Sequence, residues 1–493
     1  MPSGDRLSAL DATFLHLETG GAHMHVASVF IFEGQAPGHD ELIEAIESKL
    51  HLVPRYRQRL AEVPLQQGRP VWVDDPHFNA GYHIRHTALP APGGPAELKR
   101  QAGRLFAQPL DRSKPLWEIW LVEGLSGPGW AGNAATARWA MIGKTHHALV
   151  DGVSGVDITA VLLDAAPNPV PTAPPSRAWT PAPVPHPTQL LAEALLERAT
   201  QPAEILRGLR VLTRAPRQAL SRLAETTAGL AAMAMAGVSP APPSPYNVDI
   251  GPHRRYTWVD ADLAQFKAIK AALGGTVNDV VVTAVTLALG RHLRRHGHDT
   301  RELVLKAMVP VSVRAENQQG ALGNRVSNMY APLPVGIEDP AACFEYVHGA
   351  MEDLKTSGQA MGAEAITRLG DFAPPTIMSQ AARLQARQRF FNLVVTNVPG
   401  PQISLYLLGR RLARLYPVVP LAQRQALGIA IMSYDGQLGF GLLADFDALP
   451  DLDDVATDLE RSIAALARAA GISATRRPSA ATTRRSRPVA ARP

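Results

Sequence analysis

The sequence has little cysteine, no long apolar run and no secretory signal, and each absence excludes a class of protein. Cys343 is the single cysteine among 493 residues, so an internal disulfide and a multi-thiolate metal site are both excluded. No uninterrupted apolar run reaches about 18 residues, so we expect no transmembrane helix. The first residues, Met1–Arg6, lack the basic-then-apolar pattern of a secretory signal. We therefore expect a protein of a reducing compartment, either soluble or attached to a membrane surface.

The net positive charge of the protein comes from the end of the chain, where acidic residues are absent. The net charge is +5, but the stretch from Ile472 to Pro493 contains six arginines and no acid. Without those six charges the remainder is near −1, so we expect no nucleic-acid binding. The composition of the tail is typical of disorder. A solubilising role and a weak attraction to anionic lipid are both consistent with it.

Length and composition predict two globular domains. A chain of 493 residues exceeds the size at which a single hydrophobic core stops growing. Nine prolines lie between Pro167 and Pro187, which excludes regular helix there and indicates a linker. We expect an N-terminal domain over 1–165, a proline-rich linker and helical connector over 166–253, a C-terminal domain over 254–470 and a disordered tail over 471–493.

Strand-like apolar runs and helical patterns are mixed in both halves, which predicts an α/β fold. The predicted strands are His25–Phe32, Pro115–Val122, Ala137–Thr145, Leu303–Val311, Asn392–Thr396, Gly428–Ser433 and Gly439–Ala444. The predicted helices are Glu41–Leu50, Gln189–Thr200, Ala203–Met235, Asp262–Leu273, Asp279–His296, Pro340–Thr356 and Asp453–Ala470.

The connector helix predicted over 203–235 has a basic face. Its arginines recur at spacings of three, four and three, which places them on one side of a helix: Arg207, Arg210, Arg214 and Arg217. Pro216 should kink this helix or divide it in two. A connector packed on the body and a helix lying on a membrane surface are both compatible with the pattern.

A pair of histidines ahead of an aspartate and a glycine provides the strongest candidate for catalysis. The run is His146-His147-Ala148-Leu149-Val150-Asp151-Gly152, and it follows a predicted strand. Adjacent residues of a strand point to opposite faces, so only one histidine can serve a given pocket if the strand persists. Both are catalytic candidates, and the resemblance of the run to a family signature implies His147 as the general base. Because no third ligand lies at metal-binding spacing, we expect no metal.

The pattern His-His-x-x-x-Asp-Gly resembles the signature of the chloramphenicol acetyltransferase-like superfamily of CoA-dependent acyltransferases. Further motifs resemble those of the bacterial wax ester synthase/diacylglycerol acyltransferase family. They are Leu10-Asp11-Ala12-Thr13-Phe14, Pro115-Leu116-Trp117, Asn278-Asp279, Pro310-Val311-Ser312-Val313-Arg314 with Gly323-Asn324-Arg325-Val326-Ser327, Thr396-Asn397-Val398-Pro399-Gly400-Pro401 and Ser433-Tyr434-Asp435-Gly436. The resemblance implies two similar α/β domains, each a mixed sheet with flanking helices, and an active-site channel at their interface.

The resemblance also implies an activity. It is that of a long-chain acyl-CoA-dependent O-acyltransferase, making triacylglycerol from diacylglycerol or wax esters from fatty alcohols. Acyl-CoA is then a substrate, and no cofactor is expected. Since nothing around Cys343 suggests an activated thiol, direct transfer in a ternary complex is preferred. Such an enzyme would be cytoplasmic, at the surface of a membrane or lipid inclusion.

Two other functions are alternatives to this one. One is a superfamily acyltransferase that acts on a polyketide or peptide bound to a carrier protein. The other is a non-catalytic protein that binds lipid droplets or membranes.

Individual residues receive roles from the same resemblance. Asp151 and Gly152 would support the site, with Asp151 paired to Arg314. The residues that would contact substrate or the oxyanion are Pro115, Leu116, Trp117, Asn278 and Asp279. Core packing is the alternative for Trp117, and Asp279 also completes a Thr-x-x-Asp capping box for the following helix.

Overall fold

The computed structural model of the protein describes residues 5–18, 20–126, 130, 137–150, 158–170, 172–175, 177–197, 240–312, 326–356 and 390–472. Several predictions lie outside these residues: those for Asp151, Gly152, Arg314, the connector helix over 203–235 and most of the basic tail.

Before the proline-rich segment the chain forms seven described strands and six described α-helices, besides three short 3-10 helices. The strands are β1 (Asp5–Arg6), β2 (His25–Glu33), β3 (Gln58–Ala61), β4 (Val71–Asp74), β5 (Ile84–Ala88), β6 (Trp117–Glu123) and β7 (Arg138–His146). The helices are α1 (Ala9–Leu17), α2 (His39–Lys49), α3 (Ala80–His83), α4 (Pro95–Phe106), α5 (His147–Val150) and α6 (Ile158–Leu162). Between 165 and 186 the described residues form neither helix nor strand, and helix follows over 187–197.

The C-terminal half contains eight described strands and four described helices. The strands are β8 (Arg254–Asp262), β9 (Val304–Ser312), β10 (Val326–Pro334), β11 (Leu393–Val398), β12 (Tyr406–Leu407), β13 (Arg410–Val418), β14 (Leu427–Tyr434) and β15 (Gln437–Asp445). The helices are α7 (Leu263–Leu273), α8 (Val277–Arg295), α9 (Pro340–Thr356) and α10 (Leu452–Ala469). The strands and helices predicted from periodicity, wherever the structure describes them in full, are confirmed to within two residues at each end.

The larger N-terminal sheet has the strand order β12-β13-β2-β7-β6-β5. β7 is antiparallel to both of its neighbours, whereas β5 and β6 are parallel, so the sheet is mixed as predicted. Almost every residue of β7 is buried, because both faces of the sheet are covered. The strand that leads to the two histidines is therefore an interior one. β1, β4 and β3 form a separate small sheet.

Two strands of this sheet come from the C-terminal half, which the sequence analysis did not predict. β13 is antiparallel to β2, with an irregularity between Leu412 and Arg414. Pro417 lies opposite Ser28 and cannot donate a backbone hydrogen bond, which is unusual inside a strand. We call the passage of β12 and β13 into this sheet the crossover. It joins the two halves through backbone pairing as well as side-chain packing.

The second large sheet has the order β10-β9-β11-β14-β15-β8 and is also mixed, since β11 is parallel to β9 and β14. The nearly continuous burial of α8 places it in the core formed with this sheet. No single described helix is long and apolar enough to cross a membrane. α7 and α8 meet that criterion only as a pair, and they are bent by 97° at their break.

Candidate active site

The two candidate histidines lie at the end of β7, where neighbouring chains hold both of their backbone amides. The amide of His146 donates to the Leu116 carbonyl at 2.9 Å, and that of His147 donates to the Met24 carbonyl at 2.8 Å. Leu116 directly precedes β6 and Met24 directly precedes β2, so the bonds go to opposite sides of β7. The backbone at the site is thus fixed by the sheet.

The side chain of His146 is enclosed and its two ring nitrogens are engaged. It is 1% exposed, and its Nδ1 accepts a hydrogen bond from the Ala148 amide at 3.0 Å. In the neutral ring the proton is therefore on Nε2. Nε2 lies 3.3 Å from Glu18 Oε1, an ion-pair distance whose angle falls outside hydrogen-bond geometry. Both ring nitrogens of His146 face internal partners, an arrangement that favours a structural role over that of a base, and its catalytic role stays a prediction.

Glu18, which the sequence analysis did not single out, holds the charge in this enclosed corner. Its carboxylate accepts hydrogen bonds from the Met24 amide at 2.9 Å and from Arg112 Nε at 3.1 Å. Burial acts to raise the pKa of Glu18, but the facing His146 ring and the Arg112 guanidinium outweigh it and lower the pKa to about 2. One sequence signal existed: an acid at the carboxyl end of a helix is disfavoured by the helix dipole and needs a compensating partner.

His147 is only partly buried and packs on a side chain of the N-terminal motif. Its ring stacks on Phe14 of α1, with ring centroids 3.9 Å apart and planes 21° apart. α5 begins at His147, so the strand ends one residue earlier than the alternation argument assumed. Both rings meet α1 one turn apart, His147 at Phe14 and His146 at Glu18. Different burial and different partners, rather than opposite strand faces, separate their roles.

Two further buried bases on the same sheet bind the end of α4. His25 Nε2 donates to the Phe106 carbonyl at 3.1 Å, and Lys144 Nζ donates to the Gln108 carbonyl at 2.9 Å. Lys144 also pairs with Glu118 at 3.4 Å. Burial lowers the pKa of Lys144, and it lowers that of His25 well below 6.5. Both satisfy carbonyls at the end of a helix, which is a structural role.

The Pro-Leu-Trp motif lies inside the N-terminal core. Leu116 and Trp117 are 0% exposed, and Pro115 is also buried. Trp117 Nε1 donates to the Tyr56 carbonyl at 2.8 Å, and its ring stacks on His83 at 4.6 Å between centroids. The burial favours the packing alternative for Trp117, and the predicted substrate contact of these three residues stays a prediction. The motif supports His146 through the Leu116 carbonyl.

The Asn-Asp motif lies at the start of α8, and its two residues have different partners. Asp279 Oδ2 accepts from the Thr276 amide at 2.8 Å, and the Asp279 amide donates back to Thr276 Oγ1 at 3.2 Å. The predicted capping box is therefore present. Asp279 is 0% exposed and also faces His348 Nδ1 at 3.0 Å, which favours the capping role, and its predicted contact with substrate stays a prediction. Asn278 is partly buried.

Asn278 joins two motifs that are far apart in the sequence. Its Oδ1 accepts a hydrogen bond from Asn397 Nδ2 at 3.4 Å. Asn397 is the second residue of the Thr396–Pro401 motif and lies near the end of β11. The end of a central strand and the start of a buried helix therefore meet at a pair of amide side chains, which can donate to a carbonyl oxygen.

The Ser433–Gly436 motif anchors the crossover, a role that the sequence analysis missed. The Gly400 amide donates to Ser433 Oγ at 3.1 Å. Tyr434 Oη accepts from the Leu405 amide at 2.8 Å and donates to the Leu412 carbonyl at 3.0 Å. These bonds direct the chain from β11 of one sheet to β12 and β13 of the other.

Cys343 is enclosed in the C-terminal core and is poorly suited to be a nucleophile. The side chain is 0% exposed, and burial, with a smaller effect of Asp339, raises the pKa of its thiol to about 12. A thiol acts as a nucleophile through its thiolate, which this environment disfavours.

Comparison with protein families supports the arrangement just described. The wax ester synthase/diacylglycerol acyltransferase catalytic domain matches residues 7–281, and the WS/DGAT C-terminal domain matches residues 322–467. A putative diacylglycerol O-acyltransferase of Mycobacterium tuberculosis is 33% identical to this chain, over 92% of this chain and 88% of its own length. A probable diacylglycerol O-acyltransferase of the same species is 32% identical, over 94% and 96%.

Solved structures extend the comparison to the fold. The wax ester synthase/diacylglycerol acyltransferase of Marinobacter aquaeolei is similar with a TM-score of 0.63 and 27% identity, covering 95% of this chain and 100% of that one. A starter condensation domain of rhizomide synthetase shares the fold, with a TM-score of 0.54 at 14% identity and 95% coverage of both chains. The fold is thus that of the chloramphenicol acetyltransferase-like enzymes, and this chain belongs to the wax ester synthase/diacylglycerol acyltransferase family and is an acyltransferase.

Proposed function

We propose that this enzyme transfers a long acyl chain from acyl-CoA to the hydroxyl of diacylglycerol, forming triacylglycerol, and that fatty alcohols serve as alternative acceptors, giving wax esters. The observation that carries the proposal is the contrast at the end of β7. His146 is enclosed with Glu18, whereas His147 is only partly buried on a backbone that the sheet fixes. Family membership supports the class of substrates.

The proposed general base is His147. In its neutral form it takes the proton of the acceptor hydroxyl while the acceptor oxygen attacks the thioester carbonyl carbon. The tetrahedral intermediate then collapses, the carbon–sulfur bond breaks, and the departing thiolate receives the proton from His147. The products are the ester and free CoA. A base of this kind contributes about 10²–10⁴ to the rate.

Transfer is proposed to be direct, in a complex of enzyme with both substrates, and without a cofactor. The acyl group moves from sulfur to oxygen with one proton and no electron transfer, so the chemistry needs no redox group. An acyl-enzyme on cysteine is unsuited to this chain because the pKa of Cys343 is raised to about 12.

Asn278 is the proposed donor to the oxyanion. Because its Oδ1 accepts from Asn397, the amide N–H groups of Asn278 are oriented away from that partner and can donate to the developing negative charge. Asp151, which lies outside the described residues, is proposed to support the site by pairing with Arg314. We expect Asp151→Ala to reduce stability more than turnover per folded molecule.

The enzyme is proposed to be cytoplasmic and bound at the surface of a membrane or lipid inclusion. The support is compositional: the basic connector face and the basic tail. Vesicle flotation with anionic liposomes tests it, using a variant with Arg207, Arg210, Arg214 and Arg217 changed to Ser. Undiminished flotation of this variant would exclude the connector as the anchor.

The acyl-transfer proposal is tested by supplying both acceptors. Purified protein is incubated with a long-chain acyl-CoA and either diacylglycerol or hexadecanol, and released CoA and neutral lipid are measured. We expect triacylglycerol and wax ester, with CoA released in equal amount, and no product from a folded His147→Ala variant. If neither acceptor yields product, the lipid function is wrong. Acyl transfer to a carrier-bound substrate alone would favour the condensation-type alternative.

A further inference from the structure

A cluster of two histidines and an aspartate lies at the end of α8 opposite to Asn278. His292 and His296 are one helical turn apart, and Asp451 is the N-cap residue of α10. The rise of an α-helix places the two histidines roughly 21–27 Å along α8 from Asn278, so the cluster is separate from the proposed oxyanion donor. The ligand atoms of the three side chains all lie within 4.8 Å of one another.

The distances in this cluster are close to those of a metal site. His292 Nε2 and His296 Nε2 lie 3.0 Å and 3.1 Å from the same oxygen, Asp451 Oδ2. Ligands bound tetrahedrally to zinc at about 2.0–2.2 Å are separated from each other by about 3.3 Å. Shifts of a few tenths of an ångström would therefore allow all three atoms to bind one ion.

Each histidine also has the outer partner that a metal-binding histidine requires. His292 Nδ1 lies 3.0 Å from the Tyr246 hydroxyl, and His296 Nδ1 lies 2.9 Å from the His292 carbonyl. These contacts fix the ring orientations and leave Nε2 of both rings directed at Asp451.

The hydrogen bond that His296 makes to the helix also orients its second ring nitrogen. Because a carbonyl only accepts, His296 Nδ1 must carry the proton that bonds to the His292 carbonyl. Its Nε2 lies 3.1 Å from Asp451 Oδ2, so the two ligand atoms face each other across the position that an ion would take.

Neighbouring charges and exposure are compatible with a bound cation. Arg294 is 3.6 Å from Glu338, and Arg295 is 2.6 Å from Asp458, so both cations have carboxylate partners. The carboxyl end of α8 also carries partial negative charge. The His296 side chain is 44% exposed, so an ion and a solvent ligand have access from that side.

We propose that His292, His296 and Asp451 form a Zn²⁺ site, completed by a solvent ligand, that fastens the end of α8 to the start of α10. Two imidazoles and one carboxylate form a donor set that suits zinc, and Co²⁺ serves as its spectroscopic substitute. The site is independent of acyl transfer and binds the helices of the C-terminal core together.

Zinc titration of the chelator-treated, untagged full chain tests the site. Calorimetry should show one equivalent of Zn²⁺ bound, and Co²⁺ should give visible absorption bands. We expect His296→Ala and Asp451→Asn each to weaken binding at least about tenfold. The matched control is His298→Ala, an exposed histidine two residues beyond the cluster, which should bind as the wild type does.

Thermal unfolding gives a second readout that does not depend on activity. Zn²⁺ should raise the unfolding midpoint of the wild type and of His298→Ala, and it should not raise that of His296→Ala. His296 is exposed, so its replacement leaves the core intact. Failure of the wild type to bind Zn²⁺, or equal binding by His296→Ala, would overturn the site and leave a histidine–carboxylate ion pair.

Discussion

The end of β7 and the start of α8 both carry motif residues, but their side chains are held in different ways. At the end of β7, His146 depends on Glu18 and on the Leu116 carbonyl, which other segments of the chain bring to it. At the start of α8, the first partner of Asp279 is Thr276, three residues earlier in the same turn. The same holds for His147, whose contacts are with the Met24 carbonyl and the Phe14 ring. The histidine pair is therefore positioned by tertiary assembly, whereas the start of α8 is organised largely by residues of its own first turn.

The largest expected effect on the free energy of unfolding is that of replacing Glu18. Glu18→Gln removes the charge that faces both His146 and Arg112, and a carboxylate with its pKa lowered from 4.5 to about 2 contributes about 3 kcal/mol at neutral pH. We expect the free energy of unfolding in urea to fall by about that amount. Glu44→Gln, an exposed change on α2, should alter it by less than about 0.5 kcal/mol. Equal effects of the two changes would refute the tertiary description of the β7 end.

Lowering the pH should reduce the difference in unfolding free energy between the wild type and Glu18→Gln. Since the folded-state pKa of Glu18 is lowered, its stabilisation is complete above the unfolded value of 4.5 and is lost as pH falls toward about 2. The gap in unfolding free energy should thus be constant from pH 7 to about 5 and shrink below that. A gap that does not change down to pH 3 would show that the ionised carboxylate is not its source.

A smaller effect is expected at Asp279. Asp279→Asn keeps an acceptor for the Thr276 amide but loses the charge facing His348, so we expect a cost of about 1–2 kcal/mol in the free energy of unfolding. The control is Asp299→Asn, whose partner Arg301 is exposed and whose loss should cost almost nothing. A cost at Asp279 as large as that at Glu18 would remove the distinction between the two regions.

The smallest effect in energy is expected from replacing Phe14, and it should appear in kcat. Phe14→Leu removes the ring that stacks on His147, and an aromatic contact of this kind is worth about 0.5–1.5 kcal/mol. If that energy orients the base, kcat should fall by about two- to tenfold with little change in KM. Phe14→Tyr keeps the stacking and should restore kcat. A change in KM alone would assign Phe14 to substrate binding.

The same two regions show what sequence can predict. The helix start at Thr276 was predictable because its bonds span one turn, and strands such as β7 were predictable because their apolar runs are local. Glu18 and Asn397 were not identified as partners of His146 and Asn278, since those contacts exist only after folding. β13 was missed because its charged residues and Pro417 hide the strand pattern. The prediction that the two histidines point to opposite faces assumed that the strand continues through His147. It does not apply, because the strand ends at His146.

The measurement that tests the central claim most directly is single-turnover acyl transfer by His147→Ala and His146→Ala beside the wild type, with the folded fraction of each determined by unfolding. We predict that His147→Ala stays folded, loses only the stacking contact with Phe14, about 0.5–1.5 kcal/mol of unfolding free energy, and loses about 10²–10⁴ in rate. His146→Ala should lose stability first and keep more of the rate per folded molecule. A folded His147→Ala variant that transfers acyl groups at the wild-type rate would contradict the assignment of the base.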